Sequence, residues 1–287
     1  MTALPLVRTY TDASGIEITF FEWPVAKPKA IIQLVHGLGE HARRYDHVAA
    51  ELNRHGYSVY ADDHRGHGLT GVSMIERKVT KSMGELGPGG MRSMINQVHA
   101  LTDLIHIENP GVALFLFGHS LGAMISQKLL NQHSADYRGV ILSGSTLMIP
   151  GIAKTGGFNN RWKNTPNASG KEWLASDESV GRAFMADPLC FPESAARSIG
   201  LLNAAVLSGV PSRKIDSDKP ILIFAGGDDP IGGERGNKML MNAYRRAGVH
   251  DVTLIVYDGM RHEVLNDVNQ DEALADIMAW LEESLDD

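Results

Sequence analysis

The chain has 287 residues, enough for one large α/β domain or two smaller ones with a substantial core. Its 27 basic and 34 acidic residues leave a formal net charge of −7, spread without long runs, which argues against nucleic acid as a partner. A single cysteine, Cys190, excludes an internal disulfide and fits a reducing compartment, and no segment is long and apolar enough to span a bilayer.

The opening residues, Met1 to Arg8, carry neither a cationic start nor a signal-like apolar stretch, so a cytoplasmic location is expected. Residues 11–15 read as a hairpin turn and 16–23 as a β-rich run before Pro24, which suggests an antiparallel lead-in. The apolar run 30–35 then closes in His36-Gly37-Leu38-Gly39, as a buried strand would that empties into a functional loop. A helix follows with Tyr45, Val48, Ala49 and Leu52 on one face and Gly56 as its stop, and 57–61 is the next strand. In the polar loop after it, His64 and His67 could suggest a metal pair, but no third ligand stands at a recognisable spacing, so they read as hydrogen-bonded loop histidines. Gly87-Pro88-Gly89-Gly90 lacks the Lys-Ser/Thr of a phosphate loop and reads as punctuation.

Met91, Met94, Ile95, Val98, Leu101 and Ile105 recur at helical spacing, and Pro110 ends that helix near Asn109. The next stretch organises the chain. The apolar run Leu114-Phe115-Leu116-Phe117 ends in Gly118-His119-Ser120-Leu121-Gly122, and an amphipathic run to about residue 132 follows at once. Such a strand must turn sharply into a helix and expose Ser120 at the tip, at the carboxyl end of a parallel sheet. After a strand at 139–142 the rhythm breaks over residues 145–218. That segment is apolar enough to fold through Phe158, Trp162, Trp173, Phe184, Met185, Leu189 and Phe191, and it reads as short helices forming a lid. Those aromatics either line an acyl pocket or simply fix the lid, and Cys190 among them reads as a small apolar group and not a nucleophile. Alternation resumes with a strand at 220–225, a helix at 238–247, a strand at 252–257 and a closing helix at 272–285.

A serine hydroxyl needs an imidazole to take its proton and a carboxylate to orient that imidazole. His262 follows the strand at 252–257 and emerges at the edge that carries Ser120; His250 precedes the same strand and lies at the wrong edge, and His119 is expected to diverge from Ser120. The strand at 220–225 empties into Gly226-Gly227-Asp228-Asp229-Pro230, where Asp229, fixed by the proline, is preferred to Asp228 and to Asp258. The oxyanion of a tetrahedral intermediate would be held by the backbone N–H of Leu121 and of Leu38.

These motifs, HGLGEHARRY at 36–45, DHRGHG at 63–68, GHSLG at 118–122, GGDDPIGG at 226–233 and GMRHEVLND at 259–267, resemble those of α/β-hydrolases of the monoglyceride lipase, lysophospholipase and serine aminopeptidase-like group. The resemblance implies a mostly parallel eight-stranded sheet flanked by helices, with a core of residues 1–144 and 219–287 and a lid of 145–218 inserted after the sixth strand. It implies Ser120 as nucleophile, Asp229 as acid, His262 as base and Leu38 and Leu121 as oxyanion donors, with no cofactor and no metal. Thr70 stands where the group often has serine. The expected reaction is hydrolysis of carboxylic esters, with monoacylglycerols or similar single-chain lipids as substrates. A short-chain carboxylesterase, an aminopeptidase or thioesterase, and a ligand receptor on a hydrolase fold are the alternatives. Transient contact of the lid with a membrane surface and the subunit number stay open.

Overall fold

The computed structural model describes residues 4–149, 156–192 and 200–286. Parts of the expected amino-terminal stretch (1–3) and lid (150–155 and 193–199), with residue 287, lie outside the described residues. Among the described residues there are eight strands: β1 (Leu6–Thr11), β2 (Glu17–Trp23), β3 (Ala30–Val35), β4 (Tyr57–Asp62), β5 (Leu114–His119), β6 (Gly139–Ser143), β7 (Ile221–Gly226) and β8 (Val252–Tyr257). They form one sheet in the order β1-β2-β4-β3-β5-β6-β7-β8. The β1–β2 and β2–β4 pairs are antiparallel and all others parallel. Among the described residues the α-helices are α1 (Asp46–Arg54), α2 (Gly68–Glu76), α3 (Gly90–Glu108), α4 (Leu121–His133), α5 (Glu178–Ala186), α6 (Gly200–Leu207), α7 (Gly233–Ala247) and α8 (Gln270–Asp286).

The central strands are apolar throughout because helices cover both faces. Leu114 and Leu116 of β5 pack with α3, α4 and α7, whereas Phe115 and Phe117 pack with α1 and α8. Each fully buried side chain of this size contributes about 1.5–3 kcal/mol. One polar position interrupts β3: buried Gln33 donates to the Val98 carbonyl at 2.7 Å and accepts from Thr102 Oγ1 at 2.6 Å, which satisfies it against α3.

The expected fold class and the sequence-derived strands are borne out, and two helices differ. α2 is new, since its glycines and small residues show no apolar period; Thr70 within it accepts the Thr19 N–H at 2.9 Å, a role that any hydroxyl residue there could fill. α7 starts at Gly233 and not at 238, because Gly233 and Gly236 hide its first turn. No described helix is long and apolar enough to cross a membrane.

The sheet reverses direction of growth at β3, whose neighbours are β4 and β5. Ligands in open α/β sheets bind outside the carboxyl ends of strands at such a switch point. The loops after β3, β5, β6, β7 and β8 all open at that edge.

Candidate active site

β5 turns into α4 through Ser120, whose backbone is at φ +53° and ψ −116°. A non-glycine residue held there costs about 1–3 kcal/mol and persists where its surroundings over-determine it. The surroundings are the flanking glycines: a Cβ at Gly118 would overlap the Gly122 carbonyl and Ser126 Oγ, and one at Gly122 would overlap the Val35 carbonyl of β3. Ser120 donates its N–H to the Ser143 carbonyl at 2.9 Å, which ties the turn to β6.

His262, in the loop after β8, brings Nδ1 within 3.1 Å of Asp229 Oδ1 in the loop after β7, and both side chains are buried. Asp229 Oδ1 also accepts the Ile231 N–H at 2.8 Å, so the carboxylate is oriented by its own loop. His262 Nε2 has no hydrogen-bond partner among the described residues. Ser120 and His262 line one cavity of ≈ 20 Å³ with Gly37, Leu38, Glu40, His119, Trp173, Leu174, Phe184 and Glu263. Room of that size admits about one water molecule, far less than the several hundred Å³ of a ligand pocket.

The imidazole is tuned by opposing effects. Burial alone would push His262 down, but the Asp229 carboxylate, with Glu263 and Glu40 behind it, holds it above its ordinary 6.5. Leu121 is the first residue of α4, so its N–H has no intrahelical acceptor. The Leu38 N–H also has no acceptor among the described residues. The neighbouring Gly37 N–H is already taken by Glu40 Oε1 at 2.6 Å.

The five expected site residues thus lie at one sheet edge. Asp228 faces outward and pairs with Arg161, Asp258 is exposed, and His250 is exposed at the other end of β8. His119, expected to diverge from Ser120, has its ring 4.7 Å from that of His262, with Nδ1 at 3.1 Å from Ser143 Oγ. Burial, then the neighbouring His262, pushes His119 down to about 3, so it stays neutral beside the pair. The turn that exposes Ser120 leaves His119 within the strand, on the buried side. Gly144 was not anticipated; a Cβ there would lie 2.8 Å from His262 Cε1, so only glycine leaves space for the imidazole.

Of the aromatics between β6 and β7, Trp173 and Phe184 wall the cavity, Trp173 lying 4.9 Å from the His262 ring. Phe158 lies tilted against Trp173, Trp162 sits under Arg261 and Phe191 packs on His67, so these three serve attachment, whereas Met185 is half exposed. Residues 172–176 are bound to the histidine loop: Glu263 donates its N–H to Leu174 at 2.6 Å, and Arg261 Nη1 donates to the carbonyls of Glu172 at 2.6 Å and Ala175 at 2.9 Å.

His64 and His67 pack with His36 in a buried stack, where the His64 N–H meets His36 Nε2 at 3.1 Å. Burial drives the Cys190 thiol up to about 12, which leaves it no thiolate to act as a nucleophile. Among the described residues, metal-capable side chains gather at His41, Asp187 and Cys190 and at His99, His133 and Asp136. Neither group includes Ser120, Asp229 or His262.

A strained serine at a strand-to-helix turn, on a sheet of this order, defines an α/β-hydrolase. The family model described as "Serine aminopeptidase, S33" matches residues 26–269, and the chain belongs to that family. It is 26% identical over 283 residues to a monoacylglycerol lipase of Mycolicibacterium smegmatis, covering 96% of each chain. It is 27% identical over 249 residues to the human monoglyceride lipase, covering 83% of this chain and 77% of that one. Among solved structures, a thermostable carboxyl esterase from Bacillus coagulans in complex with glycerol matches with a TM-score of 0.83 and 27% identity, over 99% of this chain and 100% of that one.

Proposed function

We propose that this protein hydrolyses carboxylic esters through an acyl-enzyme on Ser120, with monoacylglycerols or similar single-chain lipids as substrates. The observation that carries the reading is the strained Ser120 sharing a cavity with a buried histidine whose Nδ1 is held by Asp229 and whose Nε2 is free of partners among the described residues. Ser120 Oγ attacks the ester carbonyl as His262 Nε2 takes its proton. Asp229 keeps the proton on Nδ1 and stabilises the imidazolium. The N–H groups of Leu38 and Leu121 stabilise the developing negative charge by donating hydrogen bonds to the oxyanion. His262 returns its proton to the departing alcohol, and water, activated by the same imidazole, clears the acyl group.

Residues 145–218 act as the lid in this reading. The strap 172–176 is fixed to the histidine loop, so the part that must shift to admit an acyl chain is α5, which carries Phe184. The names of the relatives support the lipid ester as substrate, and the glycerol complex of the esterase supports a polyol alcohol portion.

A series of p-nitrophenyl esters tests the substrate class. Rates that rise from acetate toward decanoate, with turnover of a monoacylglycerol, are expected. A maximum at acetate with collapse at decanoate would move the assignment to a short-chain carboxylesterase.

A further inference from the structure

We propose that Glu40, tied through Arg44 to Glu263, is a positioning residue that aims the oxyanion loop at Ser120 and keeps that loop in register with His262. The inference rests on the assignment of Ser120, His262 and Asp229 above and concerns what holds them.

Glu40 is 2% exposed, and its two oxygens have separate tasks. Oε1 accepts the Gly37 N–H at 2.6 Å and the Tyr45 hydroxyl at 2.8 Å; Oε2 accepts from Arg44 Nη1 at 2.6 Å. The same guanidinium forks onto Glu263, with Nη1 to Oε1 at 2.8 Å and Nη2 to Oε2 at 2.7 Å. Glu263 directly follows His262. The loop after β3 and the loop after β8, distant in sequence, are therefore joined by charge-assisted hydrogen bonds inside the protein, the strong and directional kind. The Gly37 peptide is the point of action. With its N–H turned to Glu40 it cannot serve as an oxyanion donor, and the next N–H, that of Leu38, is the one left for the cavity. A side chain on Gly37 would lie 2.7 Å from Glu40 Oε1 and 3.1 Å from Ser120 Cβ, so loop, carboxylate and serine are in mutual contact.

Simple fold stability does not call for such a group. A buried pair or triad of charges can often be replaced by apolar residues at little or no loss of stability. This triad has two carboxylates on one guanidinium, so it leaves net negative charge beside the base. The ionisable groups around His262 are Asp229 from the loop after β7, His119 from β5, Glu40 and Arg44 from the loop after β3, and its neighbour Glu263; Trp173 covers the ring. Glu40 and Glu263 both favour the imidazolium that forms during attack. Burial would raise Glu263, but Arg44 outweighs it and holds the carboxyl well below its usual range, so that charge persists across the working pH.

The test compares Glu40→Leu, Glu40→Gln and Glu263→Gln by kcat, KM, pH–rate profile and melting temperature, with Ser120→Ala alongside. Loss of one oxyanion donor lowers kcat about 10²–10³-fold, and Glu40→Leu should approach that loss with KM within about threefold. Glu40→Gln keeps an oxygen for Gly37 and should recover part of it, remaining about tenfold below the parent in kcat. Glu263→Gln should move the acid limb of kcat/KM to lower pH. If Glu40→Leu fails to fold, the other two variants decide. A parent-like kcat in Glu40→Gln with an unmoved acid limb in Glu263→Gln overturns the proposal, as does a loss confined to KM or to melting temperature. An active Ser120→Ala would instead remove the assignment on which it rests.

Discussion

Replacing Asp229 by asparagine isolates the carboxylate from the loop that carries it. Asp229 Oδ1 accepts both the Ile231 N–H at 2.8 Å and His262 Nδ1 at 3.1 Å, while Oδ2 is buried with no partner among the described residues. An asparagine oxygen can keep the Ile231 bond, so the loop survives. The negative charge that stabilises the imidazolium is lost in any orientation, and an amide turned toward Nδ1 forces the proton onto Nε2, where it blocks proton transfer from Ser120. The expected loss is about 10⁴-fold in kcat, or about 5.4 kcal/mol of transition-state stabilisation. Burial would then dominate His262, and the acid limb of the residual activity should fall below 6.5. Steady-state hydrolysis of a p-nitrophenyl ester between pH 5 and 9 measures both, with Asp228→Asn as the comparison. Asp228 is partly exposed and pairs with Arg161 at the surface, where such pairs contribute about 0–1 kcal/mol, so its loss should change kcat by less than about fivefold. A tenfold or smaller effect at Asp229, or a larger one at Asp228, would refute the assignment of the acid.

In the parent protein kcat/KM should rise with pH through a value above 6.5, because the base must be neutral and its folded-state pKa is raised. The same raised pKa contributes stability below 6.5 that is lost as pH climbs through the folded-state value; a limb at or below 6.5 contradicts this. Gly144→Ala should lower kcat by about 10²-fold with a smaller change in KM, since the new methyl falls 2.8 Å from His262 Cε1 and displaces the ring from Asp229. Phe184→Ala should cost about 3–5 kcal/mol in denaturant unfolding yet speed fluorophosphonate labelling of Ser120, because it removes one wall of the closed cavity. Unchanged labelling would mean that α5 is not the element that shifts.

The frame was legible in the sequence because parallel strands are short apolar runs that end in glycine and polar residues; 30–35 coincides with the buried β3 and 252–257 with the partly buried edge strand β8. The edge carrying Ser120, Asp229 and His262 followed from strand direction alone. What stayed hidden depends on contacts between distant loops. That the ring of His119 rests 4.7 Å from His262 is one such contact, since it needs the loop after β8 to fold back over β5. Glu40 and Arg44 stand four apart in a polar stretch that reads as an ordinary charged turn, and only the fold supplies Glu263 to complete them. Their one local signal is an acidic residue directly after the candidate base. α2 and the start of α7 were obscured by glycines, which lower helix propensity while packing contacts set the backbone.

In the proposed reaction the acyl group is carried by Ser120. Incubation of the parent chain and Ser120→Ala with a fluorophosphonate, followed by intact-mass measurement and peptide mapping, tests it directly. One adduct per parent chain, on the peptide containing Ser120, and none on the variant is the predicted result. Equal labelling of both chains, or an adduct on any other residue, would contradict it.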